Sequence, residues 1–248
     1  MENNELLRRA EDLFNRSQRS NMLTMTAFLT PAERMQIENW GKYLCGDRLL
    51  FCGGMDECER TAAFFLPDYM DREDFYPDEY ISALHMKAHF GTPGHRDYLG
   101  ALLGMGVGRE RIGDIIITGD DAYVFCLPSV AGHLKSIDKV GRVSVTTEEI
   151  ALSDVPTGTR KLERVTFSVM STRLDAVAAG MFHLSRTEAT KHIGAGNVSL
   201  NYEQCYKPDC PVREGDVISL RGAGKGIIAG TGGTSRKGRL FVYADIYK

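Results

Sequence analysis

The chain has 248 residues, of which 43% are hydrophobic and 25% charged, an ordinary balance for a globular protein of two or three domains. Its formal net charge of −3 argues against a protein that coats nucleic acid over its whole surface, although a local basic face remains compatible with it. The cysteines form no C-x-x-C pair and lack zinc-ligand spacing, so we expect reduced thiols, no metal site and no cofactor. No apolar run resembles a signal peptide or a membrane span, which predicts a cytoplasmic protein without membrane contact.

Residues 1–75 predict a small α/β unit. Thr30 and Glu33 frame a capping box, with Pro31 at the first helical position, where its missing N–H group does no harm. The acidic, turn-rich segment 68–78 marks a boundary. The predicted elements are a helix at 5–14, a helix after Thr30, a strand at 48–52, a short helix at 56–60 and a strand at 62–66.

Residues 76–152 predict a second domain, in which strands and helices alternate in the order β-α-β-β-α-β. The predicted elements are strands at 80–88, 112–118, 122–127 and 142–147, with helices at 95–105 and 128–140. This order is typical of the ferredoxin-like split unit that RRM domains share. The aromatic sheet motif of an RRM is missing from 112–118 and 80–88, so stacking of bases on the sheet is not predicted.

Residues 171–221 predict two helices followed by short strands. Leu174, Val177, Ala178 and Met181 recur at helical spacing and describe one buried stripe. Ser185 and Glu188 frame a second capping box, which starts the next helix. We expect strands at 198–200 and 217–220, a turn at 201–202, and a closing hairpin from 227–230 and 240–246. Residues 154–164 are a linker candidate.

Polar residues of this region lie where they suit a phosphate backbone. The N-terminus of a helix favours anions because its N–H groups are free, and a cationic edge beside it adds to that attraction. The candidates for RNA binding are Arg173, Ser185, Arg186, Thr187, Lys191, Asn201 and Lys207, with Lys225, Arg236 and Lys237 as further possibilities. Any one of these cations is more simply a solvated surface residue, but the set together favours RNA.

The same region resembles the S4 domain, an RNA-binding module, and this resemblance spans 165–248. It is carried by Arg173-Leu174-Asp175, Ser185-Arg186, Ala189, Ile193, Gly196-Asn197-Val198, Asn201, Lys207-Pro208 and Gly215-Asp216-Val217-Ile218. It implies an αL-type RNA-binding fold in which the residues that face structured RNA are Arg173, Ser185, Arg186, Lys191, Asn201 and Lys207. Tyr202 departs from the Gly that usually follows Asn in this family, and Asn-Tyr suits a turn at positive φ less well than Asn-Gly.

A second resemblance, to bacterial YlmH-type proteins, covers nearly the whole chain. It is carried by residues 94–104, Arg109, Ile112-Gly113-Asp114-Ile115, Gly53-Gly54 and Glu59-Arg60. It implies an α+β protein with an RRM-like middle domain before a C-terminal S4 domain. It further implies RNA-binding proteins of the large ribosomal subunit, with rRNA or tRNA as partners, which assist rescue of stalled nascent chains and have been linked to cell division.

Three functions remain open on the sequence. The first is a non-catalytic RNA-binding protein, expected to be a monomer and to have no catalytic residues. The second is an RNA-modifying enzyme that uses the S4 domain for targeting and holds an unrecognised site in 2–152. The third is a scaffold for division proteins, for which charge reversals on the S4 face would leave the phenotype intact.

Overall fold

A computed structural model of the chain describes residues 2–56, 58–157, 162–235 and 237–247. These residues fall into two compact units, one up to residue 157 and the other from residue 162 onwards. Both units combine helices with antiparallel sheets, which confirms the predicted α+β class. Among the helices that the structure describes, none combines the length and the hydrophobicity needed to cross a bilayer.

The first part of unit 1 packs two helices against a three-stranded sheet. The elements are α1 (Glu2–Ser20), β1 (Thr24–Met25), α2 (Pro31–Leu44), β2 (Leu49–Cys52) and β3 (Ala62–Phe65), with strand order β1-β3-β2. Ala10, Ile37 and Phe65 are fully buried between the helices and the sheet. The predicted capping box is confirmed, since the Thr30 N–H donates to the Glu33 carboxylate over 2.7 Å and the Glu33 N–H donates to the Thr30 hydroxyl.

The predicted helix at 56–60 is wrong. Asp56 and residues 58–60 form a turn and bends instead. The reason is a buried carboxylate, Asp114, which accepts the backbone N–H groups of Glu59 at 2.7 Å and Arg60 at 3.1 Å. Those N–H groups therefore donate to a side chain that is distant in the sequence and not to a carbonyl oxygen of a local helix. Helical periodicity in the local sequence gives no sign of this contact.

The second part of unit 1 is a five-stranded sheet with strand order β5-β6-β4-β8-β7. Its elements are β4 (Ser82–Ala88), α3 (His95–Gly104), β5 (Ile112–Thr118), β6 (Asp121–Cys126), α4 (Pro128–Leu134), β7 (Lys139–Val140) and β8 (Val143–Ile150). Both helices pack on one face, against Leu84, Met86 and Val124. Ala83 and Phe125 on the other face pack against Phe64.

The prediction makes the second helix of this domain too long. The helix predicted at 128–140 ends at Leu134, because Lys139 and Val140 pair with Ser144 and Val143 as strand β7. A two-residue strand carries too little period-2 pattern to be recognised in the sequence.

Unit 2 is a six-stranded antiparallel sheet with two helices on one face. Its elements are β9 (Leu162–Val169), α5 (Leu174–Met181), α6 (Arg186–Gly194), β10 (Val198–Leu200), β11 (Glu203–Gln204), β12 (Val217–Leu220), β13 (Gly224–Thr234) and β14 (Leu240–Tyr247), in the order β11-β10-β12-β13-β14-β9. The predicted stripe is confirmed as the helix core, since Leu174, Val177, Ala178 and Met181 are buried against the sheet together with Ile193.

Strand β9 lies partly in the segment predicted as a linker, and the sequence prediction missed it. It pairs with β14 along its whole length, from Leu162 opposite Tyr247 to Val169 opposite Leu240. The alternation of Val165, Phe167 and Val169 is the signal that could have revealed it, because these side chains face the helices.

The turn at Asn201 and Tyr202 joins β10 to β11, with Leu200 paired to Glu203. Both turn residues have positive φ, 51° for Asn201 and 67° for Tyr202. This is the left-handed geometry of a type I′ two-residue hairpin turn. Tyr202 therefore adopts a conformation that glycine would adopt without strain.

Candidate nucleic-acid interface

The centre of the candidate interface is a buried carboxylate that binds two arginines. Asp175 lies in the first turn of α5, and only 6% of its side chain is exposed. Arg173, the residue before α5, donates from Nε to Oδ1 and from Nη2 to Oδ2, both over 3.2 Å. Arg186, the first residue of α6, donates to Oδ2 from Nε over 3.2 Å and from Nη2 over 3.0 Å. One carboxylate thus fixes two guanidiniums, one from the residue that precedes α5 and one from the first residue of α6.

The three side chains leave one net positive charge at the surface. Burial by itself would raise the pKa of Asp175, but the hydrogen bonds from Arg173 and Arg186 outweigh it and lower that pKa. The hydrogen bond to Asp175 in turn raises the pKa of Arg173. Arg173 and Arg186 expose 43% and 57% of their side chains. Because a guanidinium carries five N–H donors, each keeps donors for an anion outside the protein.

The N-terminus of α6 lies beside this cluster. The predicted capping box is confirmed, since the Ser185 N–H donates to the Glu188 carboxylate over 2.9 Å and the Glu188 N–H donates to the Ser185 hydroxyl over 3.2 Å. The box leaves the N–H groups of Arg186 and Thr187 for an external acceptor. The Glu188 carboxylate at the same end offsets part of the helix dipole, and its pKa is lowered by the hydrogen bonds with Ser185. The attraction for phosphate therefore comes mainly from the arginines.

A depression of about 280 Å³ adjoins the cluster between the end of β9 and the two helices. Arg186 and Arg239 both line it. Arg239 donates from Nη2 to the backbone oxygen of Ser168 over 3.0 Å, which holds the guanidinium at the rim. The sequence places Arg239 on the basic tip of the closing hairpin, which is either a solvated turn or a further phosphate contact. The pairing of β14 with β9 brings this residue, just before β14, to the depression that Arg186 also lines.

The loop 205–210 carries Lys207 and supports the start of α5. Its Cys210 and Pro208 carbonyl oxygens accept the N–H groups of Leu174 and Asp175 over 2.8 Å and 2.9 Å. Lys207 is exposed in this loop, next to the residues that hold Asp175 in place. The backbone thus places Lys207 at the border of the arginine cluster.

Two further candidates of unit 2 occupy different settings. Asn201 uses its side-chain amide within the protein, donating to Asp216 over 2.8 Å and accepting from the Val217 N–H over 2.9 Å. It therefore fixes the hairpin turn. Lys191 is exposed on α6, one turn after Thr187.

The possible candidates near the closing hairpin are Lys225, Arg236 and Lys237. Gly226 faces α5, because a Cβ there would lie 3.3 Å from the Met181 sulfur, so the preceding Lys225 faces the other side of the sheet. The Lys225 ammonium lies over the Tyr247 ring, 4.7 Å from its centroid. Lys237 is exposed beyond the end of β13. Arg236 lies outside the described residues.

In unit 1, the arginines near Asp114 have structural roles. Arg60 donates to the Ile112 and Phe28 carbonyl oxygens over 3.1 Å and 3.0 Å. Arg109 donates to the backbone oxygens of Ile112 and Gly113. Burial lowers the pKa of both guanidiniums. Within the part of the chain that the structure describes, no three His, Cys, Asp or Glu side chains are grouped to hold a metal ion.

Comparison with known proteins gives three findings. A family model described as a putative RNA-binding domain in YlmH matches residues 72–154, which contain the five-stranded sheet of unit 1. The chain is 31% identical over 219 residues to a Bacillus subtilis protein named ribosome-associated protein quality control protein P2, covering 87% of this chain and 84% of that protein. A solved structure titled cell division protein ylmH from Streptococcus pneumoniae superposes with a TM-score of 0.53 at 18% identity, over 62% of this chain and 94% of that one.

The structural match concerns the fold, whereas the identity to the Bacillus protein extends over most of both chains. The family model matches residues 72–154, which belong to unit 1, so the match does not overlap the arginine cluster of unit 2. Together, the sequence match and the family model show that the chain belongs to the YlmH family of bacterial RNA-binding proteins.

Proposed function

We propose that this chain is a non-catalytic, monomeric RNA-binding protein that binds structured rRNA or tRNA on the large ribosomal subunit and acts in the rescue of stalled nascent chains. The observation that carries the proposal is the arrangement of Arg173 and Arg186 on the buried Asp175 carboxylate. The two guanidiniums are held in place before RNA arrives, so little side-chain entropy is lost when they bind.

Phosphate is the ligand that this geometry suits best. Guanidinium groups bind phosphate oxygens through paired N–H donors. The two here come from the N-terminal ends of α5 and α6, so they can contact neighbouring phosphates of one RNA. The chemistry is electrostatic, because arginine stays protonated and cannot act as an acid or base at neutral pH. Binding of this kind positions an RNA without reading its sequence.

Both units resemble RNA-binding modules, which supports a protein with two RNA contacts. The strand order β5-β6-β4-β8 of unit 1 is the order of a ferredoxin-like βαββαβ unit, as in an RRM. In unit 2 we assign α5, α6 and the strands that follow to an S4 domain. The family model, described as a putative RNA-binding domain, supports an RNA contact in unit 1, and the arginine cluster would add a second contact in unit 2.

The ribosomal setting is supported by the Bacillus subtilis relative, which is named for ribosome-associated quality control. A protein that holds a stalled peptidyl-tRNA on the large subunit must contact RNA phosphates on more than one side. Two RNA-binding units within one chain would meet that requirement.

The proposal is tested by sedimentation. A tagged chain is expressed in Bacillus subtilis lacking its own relative, and lysates are separated on sucrose gradients, followed by sequencing of the RNA that co-purifies. The test variant is the double replacement Arg173→Ala with Arg186→Ala. The matched control is Arg164→Ala, which also removes an arginine paired with a carboxylate in unit 2, since Arg164 donates to Asp245 over 2.7 Å. On β9, the neighbouring residue Val165 faces the helices. Arg164 therefore faces the opposite side of the sheet.

We expect the unaltered protein and the Arg164 control to co-migrate with the large subunit and to enrich tRNA. The double variant should shift to the top of the gradient. Free migration of the unaltered protein would overturn the ribosomal proposal, and co-migration of the double variant with unchanged RNA would remove the cluster from the interface.

A further inference from the structure

Two cysteine thiols meet in the loop that supports the arginine cluster. The Cys205 sulfur lies 3.1 Å from the Cys210 sulfur and 3.6 Å from the Lys207 carbonyl oxygen. Both cysteines are partly exposed, so a small solute can reach them. The intervening residues fold back on themselves, and the Cys210 N–H donates to the Lys207 oxygen over 3.2 Å. A modest movement therefore brings the sulfurs to bonding distance, which is about 2.05 Å.

The other cysteines occupy different environments. Cys45, Cys58 and Cys126 are buried, and burial raises the pKa of Cys45 to about 11 and that of Cys126 to about 12. Burial also raises the pKa of Cys52. Because the thiolate is the reactive form, these thiols react slowly with disulfides.

The loop is joined to the start of α5 by backbone hydrogen bonds. The N–H groups of Leu174 and Asp175 donate to its carbonyl oxygens, and the Val212 N–H, just after the loop, donates to the Thr172 oxygen over 2.7 Å. Arg173 and Pro211 form a β-bridge at the same place. Any opening of the loop therefore releases the backbone that places Arg173 and Asp175.

We propose that Cys205 and Cys210 form a reversible intramolecular disulfide, with low-molecular-weight disulfides as the oxidant, and that this bond locks the loop against the start of α5. The disulfide closes a short loop whose ends already lie together, so it restricts opening without distorting the native arrangement. Its consequence for RNA rests on the proposed function, because the locked residues hold the arginine cluster.

The disulfide forms by thiol–disulfide exchange. The Cys205 thiolate attacks one sulfur of the small disulfide, forms a mixed disulfide and releases one small thiolate. The Cys210 thiol then loses its proton and attacks the Cys205 sulfur, which releases the second small thiolate. The protein loses two protons and two electrons, and the small disulfide becomes two thiols. The hydrogen bond with Cys205 raises the pKa of Cys210, so the first attack falls to Cys205. The second attack is intramolecular, between sulfurs that already lie 3.1 Å apart.

The first measurement is the intact mass of the full-length protein after oxidised glutathione, before and after reduction, with peptide mapping. We expect the mass of the peptide that contains both cysteines to fall by the mass of two hydrogen atoms. Cys205→Ser and Cys210→Ser should instead each keep one bound glutathione, whereas the control Cys52→Ser should still form the bond. Mixed disulfides alone in the unaltered protein, or dimers linked between chains, would overturn the proposal.

The second measurement is amide hydrogen exchange in the oxidised and reduced protein. The Leu174 and Asp175 amides donate into the loop, so oxidation should slow their exchange by at least about tenfold, and the Ile193 amide in α6 serves as reference. Equal exchange in both states would show that the bond does not lock α5. Neither readout uses RNA, so both can succeed even if the proposed function fails. In a parallel titration with large ribosomal subunits, the oxidised protein should bind at least as tightly as the reduced protein.

Discussion

Arg186 begins helix α6, yet its Nη2 lies 3.0 Å from Oδ2 of Asp175 in helix α5. The same carboxylate accepts Arg173, so the orientation of both cations depends on a residue that is itself buried. Asp175 is therefore a positioning residue of the candidate interface. It contributes no positive charge, but without it the two guanidiniums would have no common partner.

Replacing Asp175 by Asn should weaken RNA binding, although it raises the net positive charge of the arginine cluster. The amide replaces one of the two acceptor oxygens by an NH2 donor and removes the negative charge, so the paired hydrogen bonds are lost and the arginines lose their fixed orientation. We expect weaker binding to large ribosomal subunits and a loss of about 1–3 kcal/mol in the free energy of unfolding, since hydrogen bonds to a charged group are lost. The control is Asp245→Asn, which frees Arg164 on the other side of the sheet. Tighter binding by the Asp175 variant would mean that charge matters more than orientation.

The pH dependence of stability tests the same carboxylate. The pKa of Asp175 is lowered in the folded protein, whereas an unfolded Asp titrates near pH ~3.9. Its contribution to stability is therefore fully present above that value and is lost as the pH falls through the folded-state pKa. Urea unfolding of the unaltered protein and Asp175→Asn should give a stability difference that is constant above about pH 5 and shrinks below about pH 4. A difference that does not change with pH would show that Asp175 is not linked to folding in this way.

Tyr202→Gly should stabilise the protein. Tyr202 has a φ of 67° in a two-residue turn, and a side chain in this region costs roughly 1–2 kcal/mol that glycine avoids. Because glycine also loses more entropy on folding, we expect a net gain of about 0.5–1 kcal/mol in thermal or urea unfolding. Glu203→Gly, on the adjacent residue of β11, should destabilise. A loss of stability in Tyr202→Gly would mean that contacts of the ring outweigh the backbone strain.

Two helical glycines of unit 2 should respond in opposite directions to replacement by Ala. A Cβ at Gly180 would clash with the Phe167 ring of β9, whereas a Cβ at Gly194 would meet no atom within 4 Å. We expect Gly180→Ala to cost about 1–3 kcal/mol and Gly194→Ala to be neutral or to stabilise by up to about 1 kcal/mol. Adding Phe167→Leu should recover part of the loss. Equal effects at both positions would contradict the close packing of α5 on β9.

These residues also show how far the sequence predicts the structure. Local signals were sufficient for both capping boxes, because Thr30 with Glu33 and Ser185 with Glu188 use contacts within three residues. The role of Asp175 was missed because its partner Arg186 follows eleven residues later, in another helix. Asp175 nevertheless lies on a buried stripe beside Leu174 and Val177, and an acidic residue in such a place needs a cationic partner.

Long-range contacts account for two further features that the local sequence does not predict. The helix predicted at 56–60 is replaced by bends because Asp114, more than fifty residues away, takes the N–H groups of Glu59 and Arg60. Arg239 reaches the candidate interface only through the pairing of β14 with β9. Neither contact leaves a periodic pattern in the local sequence.

The salt dependence of binding tests the central claim most directly. The dissociation constant of the protein for purified bacterial large ribosomal subunits is measured from low to moderate salt for the unaltered chain, Arg186→Ala and the control Arg164→Ala. The logarithm of the dissociation constant rises with the logarithm of the salt concentration, and each phosphate contact that is lost should reduce this slope by about one unit. We predict a slope lower by about one unit and weaker binding for Arg186→Ala, with no change for Arg164→Ala. An unchanged slope and affinity for Arg186→Ala would show that the arginines held by Asp175 do not bind RNA phosphate.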